Sequence, residues 1–505
     1  MSHCCFEHIF VPGAAIGDHC VSLNLIDDQW IPVLCADGSR RVIAPWQMAE
    51  PDVVQPDWPR PDLNIACLEL LIGLVFLADP PVDGEDWEAR RDPDPQRLQE
   101  KLAPYAPAFN LVGDGPRFLQ DLEPFTGKAS SVDMLFIDSA AVETARKNAD
   151  VMVHRSRYDR LDFPIAAMAL YTFQSYAPAG GAGNFTSMRG GGPMVTLVDP
   201  ERMLWDLVWV NVSCGHSAKM ETLPWMRPTR VSHTGQQTLP PDGELFGAEA
   251  FFGMPRRLRL THNEGAVTGV IQKPGGTDYA LWKHPLSPYY RKKSGEEWLP
   301  KHPRAGHFGY RNWLGVVVKE KGSDLSELAL CLREDRIGGG SILVAGWSMD
   351  NMKPRDFILS RQRRLSAIPA EAEYRIVDLI QAADAVAVAL RNALTPVLAG
   401  GEAREAEREE FFRQTETKFL THVQAIERGE DPAEAWLADL RRQALGQFDA
   451  KALPGLNQRD VKAIGRITEG RRYLGLVLAG YGKEGGEIFG ALGLPLPKTG
   501  KRKAA

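Results

Sequence analysis

A change in hydrophobic pattern near residue 370 divides this sequence into two parts. After that point apolar residues recur with the 3.6-residue period of amphipathic helices, whereas the preceding part mixes short apolar runs with Gly and Pro. The chain has 505 residues, more than the roughly 250–300 that one hydrophobic core reaches, so at least two domains are expected. We predict an N-terminal extension (1–21), a mixed α+β domain (22–370) and an antiparallel four-helix bundle (371–505).

The C-terminal part contains four helical patterns with short connections. Gly400 and Gly401 end the first pattern, and the third opens at Asp431-Pro432, where the aspartate suits a helix cap and the proline suits the first turn. Amphipathic helices joined in this way pack as antiparallel bundles. The helices are expected at about 376–394, 402–428, 431 onward and 458–479.

The preceding part mixes predicted strands and helices without regular βαβ alternation, which indicates an α+β fold. Its most apolar segment, Ile65–Ala78, predicts a buried helix. The alternating run Leu23–Cys35, followed by Gly38, predicts a hairpin. Another helix is expected at Pro164–Gln174, and strands are expected at Met194–Val198, Leu204–Val212, Leu258–Leu260, Leu314–Val318 and Ile342–Ala345.

Composition indicates a soluble, cytoplasmic protein. The formal net charge is −6, so contact with nucleic acid would depend on local basic patches and on partners. The seven cysteines are scattered without a C-x-x-C pair, which argues against a zinc ribbon and against a disulfide framework. The longest apolar run, Leu68–Ala78, is about half of the ~20 residues that a membrane helix needs, so no membrane association is expected.

The sequence contains none of the common catalytic signatures. It has no H-E-x-x-H, G-x-S-x-G or Walker A element. His284, His302 and His307 lie in one short stretch, two of them directly before proline. They are interpreted as loop histidines, with a metal-dependent nuclease site as the alternative. We expect no enzyme activity, no cofactor and no bound metal.

A glycine-rich loop, Pro178–Pro193 (PAGGAGNFTSMRGGGP), is the strongest candidate for contact with another molecule. Its six glycines allow positive φ and close approach of the backbone to a partner. Asn184, Thr186 and Ser187 add hydrogen-bonding groups, and Arg189 adds a charge that favours phosphate or base edges. The alternative is a flexible connection between a helix and a strand.

Two further polar loops are suited to contact. Gln272–Gly276 (QKPGG) predicts a tight turn that presents Lys273. The segment Ala345–Leu359 predicts an apolar run with a polar tip at Asn351, Met352 and Lys353. Asparagine can pair with base edges and methionine can insert between base steps, although a simple hairpin turn is the alternative.

Together these segments resemble the large-subunit (CasA) family of the type I-E CRISPR interference complex, Cascade. The matching segments occur in the family's order over nearly the whole chain. They are LIDDQWIPV (25–33), LELLIGLVF (68–76), GGAGNFTSMRGGGP, LWKHPLSPY (281–289), AGWSMDNMK and FFRQTETKFL (411–420). The resemblance implies a mixed domain followed by a four-helix bundle. It also implies a non-catalytic role in RNA-guided DNA recognition, in which the protein reads a short motif, the PAM, beside the target.

The resemblance also implies site residues and partners. The PAM duplex would be contacted from the minor groove by a glycine loop and a lysine finger, and opened by a wedge. The expected partners are guide RNA (crRNA), double-stranded target DNA with a PAM, the other Cascade subunits and a helicase-nuclease recruited after target binding. The PAM-binding residues would be Gly180, Gly181, Ala182, Gly183 and the finger residue Lys273, with Gln272 as the alternative finger residue. The wedge would be Asn351, Met352 and Lys353.

Two other groups of residues are implied. A loop at Asn148–Arg157 would meet the guide RNA and a neighbouring subunit through Asn148, His154 and Arg155. Basic residues of the bundle would hold the displaced non-target strand, or would cover apolar surface with their stems. They are Arg413, Lys418, Arg441, Arg442, Arg459, Lys462, Arg466, Arg471 and Arg472.

The chain departs from the family pattern at three places. Met352 or Lys353 stands where the family wedge has glutamine, and Ala182 stands where a glycine is expected. Cysteines that precede the lysine finger in some relatives are missing around His262 and Asn263, so no zinc is expected. A protein-only scaffold subunit, which never touches DNA, is a further alternative.

Overall fold

A computed structural model describes residues 22–139, 157–181, 183–232, 235–241, 246–320, 322, 324–365 and 368–497. The chain forms two compact units. The first contains the described residues up to Gly306 together with Leu325–Arg364. The second contains His307–Asp324 and the described residues from Leu365 onward. His307–Asp324 thus falls within the predicted N-terminal domain in sequence but clusters with the C-terminal helices.

The first unit is a mixture of helices and short strands, as the predicted α+β class requires. Its helices are α1 (Pro61–Ala78), α2 (Gly84–Ala89), α3 (Pro95–Leu102), α4 (Phe163–Tyr176), α5 (Leu204–Val210), α6 (Ala248–Phe251) and α7 (Leu330–Glu334). Its strands are β1 (Ile31–Cys35), β2 (Arg40–Ile43), β3 (Val53–Pro56), β4 (Leu161–Asp162), β5 (Val195–Asp199), β6 (Arg257–Asn263), β7 (Ala266–Lys273), β8 (Tyr289–Tyr290), β9 (Leu299–Pro300), β10 (Ser326–Glu327), β11 (Ser341–Asp350) and β12 (Lys353–Arg363).

Helix α1 forms the centre of the core, which confirms the predicted buried helix. It is long and apolar enough to cross a membrane, but 89% of it is buried inside the protein. It packs against α4 and α6. A Cβ at Gly73 would lie 2.7 Å from the Phe251 side chain, so glycine lets α6 approach closely.

The described strands form four three-stranded sheets, in the orders β2-β1-β3, β10-β8-β9, β12-β11-β5 and β4-β7-β6. The predicted N-terminal hairpin is confirmed, with Gly38 in the turn at φ +83°. Strand β11 lies between β5 and β12 and pairs antiparallel with both. This sheet carries the end of the glycine-rich loop into β5 and projects the β11–β12 hairpin beyond it.

Two predicted strands are wrong. Leu204–Val212 forms helix α5 instead, because a short, mostly apolar run has too little periodicity to separate strand from helix. Trp209 anchors that helix by stacking on Trp87 with ring centroids 6.3 Å apart. Leu314–Val318 forms tight turns around Gly315, at φ +67°, with only an isolated bridge between its ends.

In the second unit the four predicted helices are present, and the described residues add a fifth. They are α8 (Ala370–Ala393), α9 (Gly401–Glu427), α10 (Ala433–Ala452), α11 (Val461–Leu478) and α12 (Gly482–Leu492). Helix α8 packs against each of the other four. The start of α10 corrects the predicted cap: Pro432 takes the cap position, and Asp431 Oδ1 accepts a 3.2 Å hydrogen bond from Ala433 N.

Candidate nucleic-acid interface

The first glycine cluster forms a narrow exposed turn, Gly180–Asn184, which we call the glycine turn. Gly180 N donates to Asn184 O at 2.9 Å, and Asn184 N donates to Gly181 O at 2.8 Å. Gly181 and Gly183 take positive φ values of 69° and 75°, which side chains disfavour. Gly180, Gly181 and Gly183 are exposed, and Ala182 lies outside the described residues. The turn therefore presents backbone to the surface.

The finger loop, Gln272–Gly276, is hydrogen-bonded to this turn. Gly183 O accepts from Gly275 N and from Gly276 N, each at 3.2 Å. Gln272 Nε2 donates to Asn184 Oδ1 at 2.8 Å, so Gln272 holds the turn rather than projecting from it. Two segments that the sequence separates widely are therefore neighbours.

Lys273 is the exposed cation of the finger loop. Its ammonium lies 5.7 Å from the centroid of the Phe125 ring. Across the part of the chain that the structure describes, no carboxylate forms an ion pair with it. A groove of about 610 Å³ opens beside it, lined by Phe125, Lys128, Gln272 and Lys273 among others. Lys273 is thus available to an anionic partner.

The third candidate segment is the tip of the β11–β12 hairpin, here called the wedge hairpin. Asn351 and Met352 form a two-residue turn with φ values of 49° and 61°, the left-handed pair of a type I′ turn. Arg355 Nη2 bonds Asp350 Oδ2 at 2.6 Å and steadies the base of the turn. Asn351, Met352 and Lys353 are exposed, and Met352 keeps 45% of its surface.

The second glycine cluster, Gly190–Gly192, packs beneath this hairpin, and we call it the glycine run. A Cβ at Gly192 would lie 2.3 Å from Trp347 O, and one at Gly191 would lie 3.1 Å from Met352 Sδ. The absence of side chains lets the hairpin approach the loop. The glycine turn, finger loop and wedge tip are therefore linked through one loop of the first unit.

Arg189 is not a contact residue, and the expectation that its charge faces a ligand is wrong. It is 4% exposed and its Nη2 lies 2.8 Å from Oε2 of the fully buried Glu69. Nη1 donates to Ser287 Oγ at 3.1 Å, and Tyr176 OH donates to Glu69 Oε1. An arginine in a glycine-rich loop can thus belong to an ion pair in the core. The local sequence does not show this, because the partner Glu69 lies far away in the chain, on α1.

A second arginine, Arg256, was missed by reasoning from the sequence. Its guanidinium lies beneath the glycine turn, with Nε donating to Phe185 O at 2.6 Å and Nη2 donating to Pro178 O. The available signal was the pair Arg256-Arg257 at the start of a strand, because an arginine that enters the core there needs a specific partner.

The three candidate nuclease histidines do not assemble a site. His284 is buried 3.7 Å from Glu69, and burial holds its pKa well below the ordinary value. His302 lies against the glycine run, 2.8 Å from the Cβ position of Gly190. His307 belongs to the second unit and pairs with Glu416 at 2.7 Å. No group of three or more His, Cys, Asp or Glu among the described residues is arranged to hold a metal ion.

The predicted basic residues of the helical unit fall into three groups. Arg413, Arg442, Arg471 and Arg472 form ion pairs on the surface with Glu410, Asp439, Asp449 and Glu469. Arg441 is structural, because its Nε donates to Leu478 O at 2.8 Å and its guanidinium lies 5.7 Å from the Phe489 centroid. Within the described chain, no carboxylate pairs with Lys418, Arg459, Lys462 or Arg466.

Lys462 and Arg466 lie on one face of α11, four residues apart, and both are exposed. Together with the exposed Lys418, they are available to an anionic partner. The predicted guide-RNA contacts Asn148, His154 and Arg155 lie outside the described residues.

A match to a family model places the chain in a known class, the CRISPR-associated proteins. The family model "CRISPR-associated protein Cse1" matches residues 24–447. The protein therefore belongs to the Cse1 family. No curated protein sequence matches the chain.

Solved structures support the same fold. CasA (Cse1) of Thermus thermophilus is 17% identical with a TM-score of 0.69, over 91% of this chain and 99% of that one. Thermobifida fusca Cse1 is 17% identical with a TM-score of 0.68, over 93% of this chain and 98% of that one. A chain of a structure titled "CRISPR RNA-guided surveillance complex" is 16% identical with a TM-score of 0.68, over 90% of this chain and 99% of that one.

Proposed function

We propose that this protein is the non-catalytic large subunit of an RNA-guided CRISPR surveillance complex and that it recognises the PAM in double-stranded DNA. In this proposal Lys273 and the glycine turn, including Ala182, contact the minor groove. The wedge residues Asn351, Met352 and Lys353 begin strand separation. One observation carries the proposal: three segments far apart in sequence are joined, and the tip of each is exposed.

The chemistry of these segments suits the minor groove. That groove is about 6 Å wide and discriminates little beyond A·T versus G·C. A turn without side chains enters a narrow groove, and one unpaired ammonium contacts phosphate or an acceptor on the base edges. Such a site reads shape and tolerates several PAM sequences.

The wedge would act by apolar insertion. Unstacking a base step costs a few kcal/mol, and an inserted methionine can occupy the space that opens. Guide RNA then pairs with the freed target strand, an exchange that is nearly balanced in free energy. A modest contribution from Met352 is therefore enough to favour opening.

The remaining partners follow from the charge of the chain. At a net charge of −6, most phosphate neutralisation must come from other Cascade subunits. Asn148, His154 and Arg155 would meet the guide RNA, and Lys418, Arg459, Lys462 and Arg466 would hold the displaced strand. The helical unit would adopt the family's four-helix bundle. A helicase-nuclease would be recruited after target binding, in the cytoplasm.

The test is duplex binding by the assembled complex. Lys273→Ala should weaken binding to a PAM-containing duplex about tenfold, or about 1.4 kcal/mol, and should leave binding to a PAM-free duplex nearly unchanged. Lys101→Ala, which removes an exposed lysine on α3, is the matched control and should change neither. Gel shifts over a range of protein concentrations measure both constants.

The alternatives make different predictions. A scaffold subunit would bind PAM-containing duplex equally well with or without Lys273, and a photocrosslinker near Gly181 would capture only protein. A nuclease would cleave DNA as a purified chain when metal is added, and His284 substitutions would stop it. Either result would overturn the proposal.

A further inference from the structure

We propose that Arg256 is a positioning residue for DNA recognition: its guanidinium joins the two ends of the glycine turn from beneath and supplies a positive charge that the protein leaves without an acid. This inference rests on the proposed function, because it assigns a further residue to the same site. It concerns a buried side chain that no motif marks.

The backbone of Arg256 is fixed in the core before its side chain reaches the loop. Arg256 N donates to Gln174 Oε1 at 3.1 Å, and Gln174 Nε2 donates back to Arg256 O at 3.0 Å. The same amide also donates to Leu119 O at 3.1 Å. Gln174 lies in α4, so the start of β6 is pinned to a buried helix.

The guanidinium then bridges the residues on either side of the glycine turn. Nε donates to Phe185 O at 2.6 Å, after the turn, and Nη2 donates to Pro178 O, before it. The group also lies 5.4 Å from the centroid of the Phe173 ring. A planar fork with donors in two directions can satisfy both carbonyls at once, whereas an ammonium on a flexible stem cannot hold that geometry.

Arg256 is buried beneath the glycine-rich loop and Arg189 is buried within it, but only Arg189 pairs with a carboxylate. Each is 4% exposed, and Arg189 is neutralised by Glu69. No carboxylate of the described residues pairs with Arg256, and burial lowers its pKa to about 10. A buried charge without a counter-ion is costly to fold. A DNA phosphate above the glycine turn would supply the missing negative charge.

Gly180 leaves this charge near the surface. A Cβ at Gly180 would lie 2.7 Å from Arg256 Nη1 and 3.2 Å from Nη2, although Gly180 itself is exposed. Gly180 therefore serves a different purpose from Gly181, whose positive φ requires glycine with nothing within 4 Å of its Cβ position. Gly181 allows the backbone to form the turn, and Gly180 leaves space for the Arg256 guanidinium.

The residue before Arg256 holds the finger loop in the same way. Pro255 O accepts from Thr277 N at 3.2 Å, and a Cβ at Gly276 would lie 1.8 Å from that oxygen. Pro255-Arg256 thus contacts the glycine turn through a side chain and the finger loop through backbone. A change at Arg256 should alter the spacing of the two PAM-contacting segments.

The experiment compares two substitutions in the complete complex with guide RNA. Arg256→Lys keeps the charge and loses the fork, and Arg256→Met loses both. Both should reduce the preference for a PAM-containing over a PAM-free duplex about tenfold, while PAM-free binding stays within about twofold. Arg256→Met alone should also flatten the dependence of affinity on salt, because one cation near phosphate is lost.

Lys273→Ala in the same series separates the two proposals. If Lys273→Ala loses the PAM preference and Arg256→Lys keeps it, the positioning role is wrong and the proposed function stands. If both variants keep the PAM preference, the positioning role and the proposed function are both wrong. If Arg256→Lys weakens both duplexes equally, the residue only supports the fold and the inference is overturned.

Gly180→Ala is the second variant, needed if Arg256 variants fail to assemble. It retains the arginine and displaces the fork by adding one methyl group. It should reproduce the loss of PAM preference. Normal preference in Gly180→Ala would contradict the inference.

Discussion

Two glycine clusters in one loop, about ten residues apart, have opposite environments. The glycine turn is exposed, and a Cβ at Gly181 would meet nothing within 4 Å. The glycine run is packed, and a Cβ at Gly192 would lie 2.3 Å from Trp347 O. The first cluster exposes its backbone at the surface, and the second lets another part of the protein come close. Under the proposed function, similar composition would therefore serve contact with DNA in one place and packing of the protein in the other.

The charged residues near the two clusters also differ in environment: one is buried and paired, and the other is exposed. Arg189, which adjoins the glycine run, is neutralised by Glu69 inside the core. Lys273, beside the glycine turn, is exposed and pairs with no carboxylate of the described residues. The charge beside the buried glycine run is therefore neutralised within the protein, whereas the charge beside the exposed glycine turn is not. Stability should depend on the first and DNA recognition on the second.

The largest expected effect comes from removing the acid at the internal end. Glu69→Ala leaves Arg189 as an unpaired buried cation and removes the acceptor of Tyr176, so the free energy of unfolding should fall by about 3–5 kcal/mol. Urea denaturation of the purified chain measures it. Glu88→Ala is the control, because its side chain is 64% exposed in a surface pair, and it should change stability by less than about 0.5 kcal/mol. Equal effects of the two variants would mean that the buried pair is not the anchor of the loop.

A smaller effect distinguishes the two clusters directly. Gly192→Ala places a methyl group against Trp347 O at a φ of +65°, and should lower the free energy of unfolding by about 3 kcal/mol through overpacking and strain. Gly181→Ala meets open space at a φ of +69° and should cost only about 1 kcal/mol, from strain alone. Thermal melts of both variants test the comparison. Matching losses would show that the glycine turn is packed as tightly as the run.

Much of the fold was predictable because its signals are local. The buried helix α1 follows from a long apolar run, and the four long C-terminal helices follow from a 3.6-residue period. The strand predicted at Leu204–Val212 is wrong because a short, largely buried run is mostly apolar in either structure, and its two polar residues, Asp206 and Asn211, do not mark a clear period. Turns such as Leu314–Val318 depend on tertiary contacts that no local pattern records.

The candidate site was predictable in its parts but not in its assembly. The glycine loop, Lys273 and the wedge tip are visible as sequence patterns. Their proximity depends on hydrogen bonds such as Gly275 N to Gly183 O, between residues far apart in the chain. The roles of Arg189 and Arg256 depend on which partner each meets in the core. A lone charge in a sequence does not identify that partner.

The smallest effect is expected at the wedge tip, which rests on the glycine run through Met352 Sδ. Methionine at a φ of +61° is strained, so Met352→Gly should raise the free energy of unfolding by about 0.5 kcal/mol despite the entropy cost of glycine. The same change removes the apolar tip and should slow opening of a PAM-containing duplex by the complex, measured by fluorescence of a base analogue beside the PAM.

Asn351→Gly is the control. Asparagine already tolerates a φ of +49°, so the free energy of unfolding of this variant should barely change. A stabilised variant with impaired opening would mean that the strained residue is retained for its action on DNA, as expected where function opposes stability. If Met352→Gly instead lowers the free energy of unfolding, Met352 is a packing residue, like the residues around the glycine run.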